Sequence, residues 1–175
     1  MLFAIAMILV VALAAFIVCV AVQPEDTSIS REITINAPPE KLFPYLNNSK
    51  KANEWMPWME SDPQVIMTYS GPEEGVGSKS SWDSPGKMGS GSALVVESIP
   101  NQLVKTQLSY TRPRGMEQLA EMTLTPVGEG TLVTWSVSGS NNFIARMFFV
   151  LFNCEKMVGD SFNKGLSKLK AMNEA

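Results

Sequence analysis

The chain has 175 residues with 14 Lys and Arg against 17 Asp and Glu, a net charge of −3, and no histidine at all. That length suits one domain plus one extra segment. Absence of histidine excludes His-based triads, dyads and His-containing metal sites, and the acidic balance offers no footprint for nucleic acid.

Residues 1–22 carry no charged side chain. As a helix they would reach ~33 Å at ~1.5 Å per residue, against a bilayer core of about 30 Å. The expectation is an uncleaved single-pass transmembrane helix over 1–22, a polar tether over 23–28 and a domain over 29–173. A cleaved signal peptide is the alternative. It is disfavoured because no basic residue precedes the apolar run and no small-x-small site closes it. Arg31 is the first basic residue beyond the run, and this leans the domain towards the outside of the cytoplasm.

Ile29, Ile33 and Ile35 then recur in one phase with Arg31, which predicts a strand over 28–36. Pro38 and Pro39 open a short helix over 41–46, interrupted by Pro44, and the Asn47-Asn48-Ser49 stretch supplies a loop and cap before a second short helix over 50–55. Six strand candidates follow: 65–70, 79–83, 91–98, 103–110, 118–125 and 131–138. They are separated by turn-forming pairs such as Pro85-Gly86 and Pro100-Asn101. Short turns between consecutive strands indicate an antiparallel meander. A helical period over 142–173 closes the chain, weakened at Gly159 and Gly165. A curved antiparallel sheet with one long helix laid across it, an α+β architecture, buries both apolar faces.

For chemistry, the residues offer little that is catalytic. Asp83 and Glu121 lie in or beside strands and are the candidates for a general base, although a strand carboxylate among apolar residues ordinarily faces solvent. No acidic cluster has metal-ligand spacing, and neither a metal nor a cofactor is expected. The Gly-rich stretches 71–77 and 86–91 read as hairpin turns, not phosphate cradles. Eleven Met and four Trp are many for this length. The densest group is Trp55-Met56-Pro57-Trp58-Met59, where a plain loop would be polar. Such soft side chains line apolar pockets as readily as they fill cores. Cys154 reads as a small buried apolar residue. The run 143–152 is apolar except at Arg146, and reads as the buried half of the last helix or a lipid-facing surface.

Several segments carry a resemblance in a fixed order. They are Arg31-Glu32-Ile33-Thr34-Ile35-Asn36-Ala37-Pro38-Pro39-Glu40-Lys41-Leu42-Phe43, Trp55-Met56-Pro57-Trp58, Gly75-Val76-Gly77, Gly89-Ser90-Gly91 and Glu97-Ser98-Ile99-Pro100, then Leu124-Thr125-Pro126, Gly130 to Trp135 and Phe162 to Lys170. Together they resemble the SRPBCC, START-like or helix-grip superfamily in its polyketide cyclase/dehydrase-like branch, over about 28–172. The resemblance implies seven antiparallel strands gripping the C-terminal helix around a cavity for lipids, sterols, polyketides or other apolar molecules. It supplies no universal catalytic residue. The cavity contacts expected on this basis are Trp55, Trp58, Trp82, Met122 and Trp135. The leading expectation is a membrane-tethered module that binds a lipid or other apolar small molecule. The alternatives are a cyclase- or dehydratase-like enzyme using Asp83 or Glu121, and a protein-interaction module with a filled cavity and an exposed patch near Phe148.

Overall fold

The computed structural model describes residues 2–86, 88–113, 115–140, 143, 146–147 and 154–174, with the side chains at 2, 4, 6, 61 and 154 outside the description. Expectations for Cys154, for the run 143–152 and for a patch at Phe148 therefore fall outside the described residues. The elements in order are α1 (Leu2–Ala21), β1 (Asp26–Ile35), α2 (Pro39–Asn47), α3 (Ser49–Trp55) and α4 (Trp58–Ser61). There follow β2 (Ile66–Ser70), β3 (Lys79–Asp83), β4 (Ser90–Ile99), β5 (Leu103–Arg112), β6 (Met116–Val127), β7 (Gly130–Ser140) and α5 (Cys154–Glu174). The seven strands form one sheet in the order β1-β7-β6-β5-β4-β3-β2, antiparallel throughout. The helix-grip α+β fold expected of the domain is the fold observed.

Strand alternation gives this sheet an inner face that meets the helices and an outer face that does not. Ile29, Ile35, Val95, Val104, Met122, Leu124, Val133, Trp135 and Val137 point inward. They form one core with Leu42 and Leu46 of α2, Trp55 of α3, and Phe162, Leu166 and Leu169 of α5. β1 starts two residues earlier than its apolar pattern suggests, because Asp26 and Thr27 still pair with Ser140 and Gly139. Pro44 does not interrupt α2, which runs through it to Asn47. The ring removes one hydrogen bond, to the carbonyl of Glu40 in the first turn, and packing of Leu42 and Leu46 carries the helix on. Asn48 caps α3 as expected, its side chain accepting from the backbone of Lys50 at 2.9 Å and Lys51 at 3.2 Å.

The N-terminal expectation is corrected. Among the described residues no helix is long and apolar enough to cross a membrane. The single-pass anchor over 1–22, the membrane as a partner and the membrane localisation outside the cytoplasm are not supported. α1 is nonetheless apolar, with Ile8, Leu9, Val10 and Val11 all exposed. Its last turn docks on the protein. Val20 is fully buried, and the guanidinium of Arg146 donates to the carbonyl oxygens of Ala21 at 3.5 Å and Gln23 at 3.0 Å. A cation there satisfies carbonyls that the end of a helix leaves free.

Candidate functional site

The inner face of the sheet divides into two parts. In the first, the aromatic residues singled out from the sequence come together. Trp135 of β7 stacks on Phe162 of α5 with ring centroids 4.0 Å apart and planes 8° from parallel. Trp55 meets it edge-on at 5.2 Å and Trp58 at 5.4 Å. Met122 of β6 is the direct cross-strand partner of Trp135 and is buried beside it. Trp55 satisfies its indole N–H on the carbonyl of Tyr45 at 3.0 Å.

Local sequence explains how these rings converge. Met56-Pro57 separates α3 from the four-residue α4, so Trp55 ends one helix and Trp58 begins the next. α4 is tied to α5 by Glu60, which pairs with Lys164 at 3.0 Å and Lys168 at 2.6 Å. The two lysines hold the exposed Glu60 carboxyl down to a pKa of about 2. Gly165 of α5 faces the cluster. A Cβ there would lie 3.1 Å from Pro57 Cδ and 3.1 Å from Trp135 Cζ3, so the missing side chain is what lets the helix settle on the rings.

Trp82 stands apart. It is on β3, four strand spacings from β7, or roughly 19 Å at ~4.8 Å each. There it meets Tyr110 of β5 edge-on at 5.4 Å, and its N–H reaches the carbonyl of Met88 at 3.4 Å. Gly91 of β4 pairs with both Trp82 and Tyr110. A Cβ on Gly91 would come 2.5 Å from the Trp82 ring and 2.6 Å from the carbonyl of Ser109, so glycine lets the indole lie against the sheet. Burial raises the pKa of the Tyr110 hydroxyl and keeps it a neutral donor.

Between the two aromatic groups the inner face carries Ala93, Thr106 and Leu108, which are half-buried, beside the buried Val95 and Ala120. Leu108 pairs with Ala93 on one side and Gln118 on the other, and Thr106 pairs with Ala120. This shelf was not expected from the sequence. The signal was present in the alternation of Val104, Thr106, Leu108 and Tyr110, which places all four on one face.

The two carboxylates proposed as bases lie elsewhere. Asp83 follows Trp82 and so points to the other face, exposed, where it accepts from the Ser90 hydroxyl at 2.6 Å and pairs with Arg112. The Ser90 hydroxyl and then the Arg112 guanidinium lower its pKa, which makes it a weaker base. Glu121 precedes Met122 and is likewise outward. It sits 3.7 Å from Lys105, which also pairs with Glu97 at 2.9 Å and whose pKa is raised by Glu97 first and Glu121 second. Among the described residues no group of His, Cys, Asp or Glu is placed to hold a metal ion.

Known proteins share this fold. The family described as polyketide cyclase / dehydrase and lipid transport matches residues 26–174. No curated protein matches the chain in sequence. Among solved structures, the Aha1 dimer from Colwellia psychrerythraea is 23% identical, with a TM-score of 0.60 over 85% of this chain and 96% of that one. DynU16, from the dynemicin biosynthetic locus, is 14% identical with a TM-score of 0.61 over 87% of this chain and 48% of its own. Ara h 8.0201 is 12% identical with a TM-score of 0.60 over 84% and 97%. Likeness at these identities shows a shared fold.

Proposed function

This chain belongs to the polyketide cyclase / dehydrase and lipid transport family, and from that premise we propose that its domain, residues 29–173, binds a lipid or other apolar small molecule on the inner face of the sheet. The observation that carries this reading is the shelf of small side chains between two aromatic groups. Ordinary core packing would fill such a face with large side chains from the opposing helix. Here α5 lies along β1 and the Trp135 cluster, and Ala93, Leu108 and Tyr110 keep part of their surface. Apolar ligands are held in sites of this kind, mostly apolar with a few polar groups that fix orientation. Tyr110 and Gln118 would be those groups. Trp82 and Tyr110 would close one end of the site, and Trp58, Met122 and Trp135 the other, with Trp55 supporting them from behind.

The cyclase or dehydratase alternative gains nothing from Asp83 or Glu121, which both leave the inner face. A general base must come within hydrogen-bond reach of the proton it removes.

Titration of the full chain with decanol, followed by tryptophan emission, tests the reading. Ala93→Trp would place a large ring on the shelf. It is expected to weaken decanol binding by at least about tenfold, the scale of one lost apolar contact set. The unfolding midpoint should stay close to that of the parent. A folded Ala93→Trp protein with unchanged affinity would remove the shelf as the site. Native mass spectrometry of the full chain after gentle purification is expected to show a copurifying apolar molecule.

A further inference from the structure

We propose that the bound molecule is an uncharged ring system with hydroxyl or carbonyl oxygens on opposite edges, and that Ser80, Thr106, Tyr110 and Gln118 receive them. The inference rests on the binding reading above and specifies the class of ligand. All four side chains occupy inward positions on or beside the shelf. Ser80 pairs with Ala93, Ala93 with Leu108 and Leu108 with Gln118, so one row crosses the sheet from β3 to β6. Thr106 and Tyr110 lie on β5 on either side of Leu108 and share its face. The four therefore surround an apolar centre made of Ala93 and Leu108. Three strand spacings separate Ser80 from Gln118, roughly 14 Å at ~4.8 Å each. Four residues of strand separate Thr106 from Tyr110, again roughly 14 Å at ~3.4 Å each.

Polar residues on the two faces of β5 differ in how they are satisfied. On the outer face Gln107 and Ser109 both donate to Glu117, at 2.8 and 2.7 Å. On the inner face, among the described residues, no side-chain hydrogen bond engages Ser80, Thr106, Tyr110 or Gln118. Polar side-chain atoms both sealed from solvent and unpartnered are, among the described residues, Arg146 Nε and Asn173 Oδ1. The four inward groups are therefore reachable, although Ser80 is buried as a residue and the other three are half-buried. None of the four carries a charge at neutral pH, and burial keeps the Tyr110 hydroxyl protonated. A charged ligand would find no counter-charge among them. An alkyl chain with one polar head would satisfy one group and cover the others with methylenes. Each polar group so covered costs about 1–3 kcal/mol. A ring system with oxygens on opposite edges meets the apolar centre with its face and the polar groups with its rim.

The experiment titrates the full chain with 2,6-dihydroxynaphthalene and 2,6-dimethylnaphthalene, which share a ring and differ in hydroxyl against methyl. Thr106→Val/Tyr110→Phe deletes two hydroxyls at nearly constant shape. It is expected to weaken the diol by at least about tenfold, the scale of two hydrogen bonds, and to leave the dimethyl compound bound as tightly or more tightly. Ser80→Ala, on a different strand, should weaken the diol alone by about fivefold, and it decides the matter if the double variant does not fold. Unchanged diol affinity in a folded variant, or equal weakening of both probes, overturns the oxygen-rimmed ligand and leaves the apolar site standing. A parent chain that binds neither naphthalene nor decanol overturns both.

Discussion

The two ends of the inner face belong to one sheet and share the same alternation, yet one is solid and the other is a shelf. At the Trp135 end, α5 brings Phe162 flat onto the indole, and Gly165 leaves room for that approach. At the Trp82 end, the large ring comes from the sheet itself and lies over Gly91, while Ala93, Thr106 and Ala120 add little volume. The difference teaches that the course of one helix, together with the placement of small residues, decides where a helix-grip domain packs and where it leaves room. Strand pattern alone does not distinguish the two.

Truncation at the solid end should have the largest effect. Trp135→Ala removes a side chain that touches Trp55, Trp58 and Phe162. It is expected to cost about 3–5 kcal/mol in urea unfolding, the range for deleting a buried aromatic ring. A loss below ~1 kcal/mol would mean that this end is not the packed core described above.

The next test contrasts neighbouring positions on β4. Gly91→Ala forces a methyl group against the Trp82 ring and the Ser109 carbonyl, and is expected to cost about 1–3 kcal/mol through overpacking. Ala93→Leu, two residues along on the shelf, should shift stability by less than ~0.5 kcal/mol, as at sites with room around them. Equal costs would erase the distinction between ring-covered and open positions.

Asn48→Ala should cost about 1 kcal/mol by removing the cap of the helix that ends in Trp55. Its thermal unfolding, read by Trp emission, also reports whether α3 holds that ring in place.

The smallest effect is electrostatic. Glu60 has a pKa of about 2 in the folded protein against an ordinary 4.5. The unfolded chain therefore binds more protons between those values, and the stabilisation from Glu60 is present above pH ~4.5 and is lost as pH falls towards 2. Glu60→Gln should flatten that part of the acid unfolding profile and leave neutral pH almost unchanged. An unaltered acid limb would mean that the lysines of α5 do not hold α4.

Alternation and turn chemistry in the sequence were enough to place every strand of the sheet, because period two and Gly or Pro punctuation are local properties. The same local signals put Met122 and Trp135 on the inner face and Asp83 and Glu121 on the outer one. The Trp55–Met59 cluster was legible as unusual, but not as two helix ends meeting at Pro57. Trp82 was grouped with the other tryptophans by residue type, and the sheet order sets it four strands away. The N-terminal segment was read from hydropathy alone as a membrane span. The structure corrects this, for among the described residues no helix is long and apolar enough to cross.

By itself, then, the sequence determined the strands, their antiparallel order and the face each strand residue takes, since these follow from short-range periodicity. Tertiary structure alone decided which residues meet across that order. It set Phe162 on Trp135, Arg31 across Gly159 and Trp82 over Gly91, because contacts between residues distant in the chain depend on how closely two backbones can approach, and here glycines set that distance.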